Sequence, residues 1–144
     1  MKRTIVVIAL ALCAAACGGR ADLFDESHGY LGPTSAAGAK SRIEALREGL
    51  RELGYVEGKN LVIEFRWADD KYERLPALVA ELIGLKVDVI VTHSTPGTRA
   101  AKQATTTIPI VMAHAGDAVL AGLVANIARP AGNVTGSTFS TPEL

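Results

Sequence analysis

Val87-Asp88-Val89-Ile90-Val91-Thr92 runs straight into His93-Ser94-Thr95-Pro96-Gly97-Thr98, and this stretch decides the fold. Its first half is almost wholly apolar and β-branched, the composition of a parallel strand covered on both faces. Its second half is a helix start: Ser94 or Thr95 can cap, and Pro96 fits the first helical position because its missing N–H is not needed there. A buried strand feeding a helix is the repeating unit of a parallel α/β sheet.

The same alternation continues in both directions. Downstream, a helix over 96–104 precedes a second apolar strand, Ile108–Met112. Asp117 then predicts a capped helix with Val119, Leu120, Leu123, Val124 and Ile127 on one side, closed by Pro130-Ala131-Gly132-Asn133. Val134-Thr135-Gly136 opens a fifth strand, and Thr141-Pro142-Glu143-Leu144 reads as the start of a further helix. Upstream, Leu61, Ile63, Phe65 and Trp67 alternate with Val62, Glu64, Arg66 and Ala68, which predicts a half-exposed strand at or near a sheet edge. Alternation makes Phe65 and Trp67 core residues rather than a ligand platform. Asp69-Asp70 can cap a helix with Leu75, Leu78, Val79, Leu82 and Ile83 as its buried stripe and Pro76 in its first turn. Before it, Ile43, Leu46, Leu50 and Leu53 fall at helical spacing over 41–53, and Gly54 supplies the stop. A short strand over 28–32 completes the order β-α-β-α-β-α-β-α-β, a doubly wound parallel sheet.

The first twenty residues are of another kind. Lys2 and Arg3 precede an apolar run from Ile5 to Ala16, too short to span a bilayer and shaped as a secretory signal peptide over 1–16. The junction Ala14-Ala15-Ala16-Cys17-Gly18-Gly19 resembles a bacterial lipobox, with Ala14 where Leu is usual. Cleavage there leaves Cys17 as a lipid-bearing N-terminus, or as the first residue of an exported protein cut by ordinary signal peptidase. Residues 17–28 then form the lipidated cysteine and a flexible tether, and 29–144 the folded lobe. Cys13 leaves with the leader, so no internal disulfide is expected.

Charge narrows the partners. The chain balances 15 Lys+Arg against 15 Asp+Glu with no basic stripe, which argues against nucleic acid. Losing Lys2 and Arg3 with the leader leaves a mildly acidic body.

In a parallel α/β sheet ligands sit outside the carboxyl ends of the strands. Three loops belong there: Gly32-Pro33-Thr34-Ser35, Thr92 to Thr98, and His114-Ala115-Gly116-Asp117. The middle loop predicts backbone N–H groups of Gly97 and Thr98 open to a small anion such as a carboxylate, unless Ser94 and Thr95 merely cap the helix. No loop contains G-x-x-x-x-G-K-[ST], G-x-G-x-x-G or G-x-S-x-G, so neither a nucleotide cofactor nor a hydrolase of that type is expected. His93 and His114 follow neighbouring strands and, with Asp117, could hold a metal or serve as base and orienter; the alternative is ordinary hydrogen bonding. Asp117 could also meet a ligand amine.

Several words of this sequence, in order, resemble the ABC transporter substrate-binding proteins of the tryptophan/tyrosine-binding type. They are Gly49 to Asn60 (GLRELGYVEGKN), Arg66-Trp67-Ala68, Arg74-Leu75-Pro76, Val87 to Val91, Ala104 to Val111, Gly116-Asp117, Gly122-Leu123-Val124 and Ala128 to Gly136. The resemblance covers about 30–144. It implies a type I periplasmic-binding-protein-like lobe, flavodoxin-like in its sheet, that closes with a second lobe on an amino-acid-like solute and passes it to an ABC permease. It implies no enzyme activity and no cofactor, and places the protein on the periplasmic or extracellular face of the cytoplasmic membrane. Matched by position, the resemblance implies Thr34, Ser35, Ser94, Thr95, Pro96 and Asp117 as the first-lobe ligand contacts. Members of the family are about twice this length, so a second lobe is expected to follow Leu144. Two other classes compete: a secreted metal-assisted hydrolase using His93, His114 and Asp117, and a receiver-type signalling domain. The export signal and the lack of an acidic cluster after the first strand argue against the latter.

Overall fold

The computed structural model describes residues 26–125 and 132–138. The leader, Cys17, most of the tether, Ile127 and the helix expected at Thr141 lie outside the described residues.

Five strands, β1 (Glu26–Gly32), β2 (Leu61–Trp67), β3 (Val89–His93), β4 (Ile110–Ala115) and β5 (Val134–Thr138), form one sheet in the order β2-β1-β3-β4-β5. Every pairing is parallel. Helix α1 (Lys40–Glu52) joins β1 to β2, α2 (Leu75–Gly84) joins β2 to β3, and α3 (Thr95–Ala104) joins β3 to β4. From β1 the chain steps outward to β2, then returns past β1 and proceeds the other way. The crevice between β1 and β3 is therefore the topological switch point.

β3 shows why a nearly unbroken apolar strand was needed. Val89 and Val91 face one way, into a cluster with Ile43 and Leu50 of α1. Ile90 faces the other, into a cluster with Leu75, Leu78, Val79 and Leu82 of α2 and Ala101 of α3. Side chains alternate, so a strand packed between two helical layers must be apolar at every position. β2 stands at the edge and keeps polar residues between its apolar ones, as its alternation predicted.

Several boundaries differ from expectation. β1 begins at Glu26, so 26–28 belong to the strand and not to the tether. Glu26 and His28 stand opposite Leu61 and Ile63 of β2, and His28 also pairs with Val89 of β3. Ladder bonds on both sides hold a segment of weak strand propensity in place. Leu53, placed in the stripe of α1, is 42% exposed, because the helix ends at Glu52 and Gly54 turns the chain away at φ 90. Asp69 and Asp70 do not cap α2. Both adopt left-handed backbone, φ 51 and 61, and a 3-10 turn at Tyr72–Arg74 intervenes before Leu75.

The largest correction follows Asp117. In place of the expected helix the chain makes one turn and closes it. Gly122 N–H donates to Val119 O and Leu123 N–H to Ala118 O, with Gly122 at φ 69. This paired closure is the left-handed termination that glycine favours, and it overrides the helical spacing of the apolar residues. Leu123 and Val124 are buried as expected, whereas Leu120 is 87% exposed.

Candidate functional site

The three loops gather at the carboxyl edge, and the one leaving β3 is the most tightly built. Ser94 caps α3: its Oγ accepts from Gly97 N–H at 3.1 Å, and its carbonyl accepts from Thr98 N–H at 3.0 Å. The two N–H groups expected to face a ligand are thus taken by the cap itself, which is what a serine at this position does. Thr95 is bonded as well, its Oγ1 accepting from Gly116 N–H at 3.1 Å and so tying the β3 loop to the β4 loop. Pro96 sits exposed in the first turn of α3.

What these bonds leave behind is specific. A hydroxyl offers one proton and two lone pairs. Ser94 and Thr95 each spend a lone pair on a backbone N–H and keep the proton. Ser35 does the same, its Oγ accepting from Gly38 N–H at 3.3 Å. Thr34 Oγ1 is buried and makes no hydrogen bond among the described residues. The edge therefore presents hydroxyl donors, a setting suited to an acceptor such as a carboxylate oxygen.

Asp117 caps the single turn that stands in place of the expected helix. Its Oδ1 accepts from Val119 and Leu120 N–H, both at 3.0 Å. His93 and His114 are register partners on β3 and β4, where the ladder shifts after Thr92. Among the described residues no three His, Cys, Asp or Glu side chains are grouped to hold a metal ion.

Two features escaped the sequence reading. Thr92 and Thr98, both fully buried, bring their hydroxyl oxygens within 2.7 Å of each other beneath the Ser94 turn. Their signal was a threonine ending an otherwise apolar strand, six residues before another. The second is a ring cluster on the α1 face. Tyr30 lies 5.8 Å from Phe65 and 5.5 Å from Trp67, while Phe65 and Trp67 stack at 5.9 Å. Phe65 and Trp67 pack on the core as expected but remain half-buried, walling a cavity of about 270 Å³ with Lys40, Glu44 and Arg47. Burial pushes the Tyr30 phenol up to about 12. The Trp67 ring lies so close over Gly32 that a Cβ there would meet it.

Known proteins share this lobe. A conserved domain protein from Vibrio cholerae O1 biovar El Tor strain N16961 superposes with a TM-score of 0.75 at 31% identity, covering 81% of this chain and 40% of the other. The ABC domain from Streptococcus pneumoniae, solved in complex with L-Trp, gives a TM-score of 0.68 at 28% identity over 77% and 37% of the two chains. A "Tyrosine-binding protein" of Clostridioides difficile strain R20291 is 36% identical over 91 residues, 63% of this chain and 26% of that one. The chain thus spans well under half the length of these relatives, and the match is to one α/β lobe of the periplasmic-binding-protein-like kind. The family model for ABC transporter substrate binding protein matches residues 33–141, nearly all of the lobe built above, and the chain belongs to that family.

Proposed function

We propose that this chain forms one wall of the binding site for an aromatic amino acid and serves as the solute-binding component of an ABC importer. The carrying observation is the row of hydroxyls at the switch point: Ser35, Ser94 and Thr95 hold their oxygens on backbone N–H groups and keep their protons for a ligand carboxylate. Thr34 adds a fourth hydroxyl, Pro96 shapes the turn, and in this reading the second oxygen of Asp117 takes the ligand amine. The streptococcal relative's L-Trp and the clostridial relative's name support an aromatic amino acid as the solute class.

In this reading a second lobe closes the other side of the solute, and an ABC permease receives it. Residues 1–16 export the protein, and Cys17 carries the lipid that holds it at the outer face of the cytoplasmic membrane. The role is capture and delivery, without a chemical step.

Calorimetry on the full-length gene product against the twenty amino acids tests the reading. Saturable binding of tryptophan or tyrosine is expected, and absence of saturable binding by any amino acid overturns it. A protein of residues 17–144 should bind at least tenfold more weakly, because one lobe cannot enclose the ligand and exclude water. Cys17→Ala should move the protein from the membrane fraction to the soluble fraction. An unchanged distribution removes the lipid anchor.

A further inference from the structure

We propose that Thr92 and Thr98, which touch no ligand in the reading above, are the positioning residues of this site. The inference rests on that reading for its ligand arm only.

The geometry fixes the direction of every bond. Thr98 Oγ1 donates to Ser94 O at 2.8 Å, which uses its one proton. In the 2.7 Å contact with Thr92 Oγ1 it must therefore accept, and Thr92 donates. The chain runs from Thr92 on β3, through Thr98 on α3, to the carbonyl of Ser94 in the turn between them. That carbonyl also takes the Thr98 N–H, so two donors from one residue hold one peptide plane. The Ser94 hydroxyl and the Thr95 hydroxyl hang from the two sides of this plane.

Stability alone does not call for such an arrangement. Both threonines are 0% exposed beside an apolar core, where a valine of the same shape would avoid burying hydroxyls at all. What the pair does that two valines cannot is clamp the Ser94 carbonyl. Buried networks that are fully satisfied fix one geometry, and ligand sites depend on groups held within a fraction of an ångström.

The test uses the full-length gene product and three variants: Thr98→Val, Thr98→Ser and the double substitution Thr92→Val with Thr98→Val. Three quantities are read: the thermal midpoint, amide exchange at Gly97 and Gly116 without ligand, and the tryptophan or tyrosine dissociation constant. Thr98→Val should lower the midpoint, since it strands the Thr92 hydroxyl, and should speed exchange at Gly97. The double variant should recover the midpoint while keeping fast exchange and affinity weakened by about tenfold, the effect of one lost hydrogen bond to a fixed group. Thr98→Ser should restore both. A double variant with wild-type exchange at Gly97 and wild-type affinity overturns the proposal and leaves the pair a packing feature. If the wild-type protein binds no amino acid, the functional reading falls by itself, and exchange at Gly97 still decides whether the threonines hold the turn.

Discussion

After β3 the chain enters α3 within two residues, and hydroxyl groups bind the Gly97 N–H and the Ser94 carbonyl of the turn. After β1 it takes seven residues, 33–39, to reach α1, and Ala39 at the cap position offers no side-chain bond. The turn there leans on backbone contacts, Ala39 N–H to Ser35 O at 3.2 Å and Ala36 O at 3.3 Å, and on the weak Ser35 cap of Gly38. These junctions are neighbours, since β1 pairs with β3, yet one is fastened and the other rests on its surroundings. In the proposed binding site the contrast divides the labour: the β3 junction offers hydroxyls held by bonds, and the β1 junction offers Thr34, whose hydroxyl has no partner among the described residues.

The β1 junction has one rigid point, and breaking it should have the largest effect. Gly32 ends β1 under the Trp67 ring, which Tyr30 and Phe65 in turn hold. Gly32→Ala drives a methyl group into that ring and should cost about 3 kcal/mol, the upper range for overpacking a filled core. Urea unfolding measures it. A loss below about 1 kcal/mol would mean that Trp67 moves freely and that neither junction is anchored from the α1 side.

Next in size is the cap. Ser94→Ala removes an N-cap bond and should cost about 1 kcal/mol. Ser35→Ala, in an exposed turn with a 3.3 Å bond, should cost only a few tenths of that. Equal losses in paired unfolding curves would erase the distinction between a fastened and an unfastened junction.

Much of this was legible in the sequence, and the reason is burial. Val89, Ile90 and Val91 had to suit two helical layers, so their composition announced a central strand. Leu75, Leu78, Val79 and Leu82 had to meet one layer, so their spacing announced a helix. The failures came where a local bond outranked a pattern. Val119, Leu120, Leu123 and Val124 keep helical spacing, but the closure at Gly122 needs only two backbone bonds to stop the helix. At the site, Ser94 and Pro96 correctly marked a helix start. Spacing leaves open whether the Gly97 and Thr98 donors face a ligand or are taken by the cap; the structure gives them to the Ser94 hydroxyl and carbonyl. The Thr92–Thr98 contact spans a strand, a turn and a helix, and no spacing rule connects such residues.

Thr34 sharpens the comparison with the opposite sign. Its buried hydroxyl has no partner among the described residues, so burying it costs free energy that no bond returns. Thr34→Val keeps the shape and should leave stability unchanged or raise it by about 0.5–1 kcal/mol, while weakening amino-acid binding in the full-length protein. A clear loss of stability would show that Thr34 is as firmly bonded as Ser94.

The smallest effect arises at the far end of the same strand and serves as a control. His28 opens into the core from β1 with Glu26 Oε2 3.2 Å from its Nε2 and Asp88 of the β2–β3 connection nearby. Burial lowers its affinity for a proton below the usual value of 6.5, and the two carboxylates only partly oppose this. Above pH 6.5 the ring is neutral both folded and unfolded, so it adds no pH dependence. As the pH falls below 6.5 the unfolded chain takes up the proton first, and stability drops until the folded-state value is passed. His28→Gln should therefore show a shallower loss of stability than the parent chain as the pH falls below 6.5. Because the titrating group lies at the amino end of β1, amide exchange at Gly97 and at Gly38 should respond to it equally. A selective response at Gly38 would mean that β1 transmits strain along its length and that the looser junction owes its character to the far end of its strand.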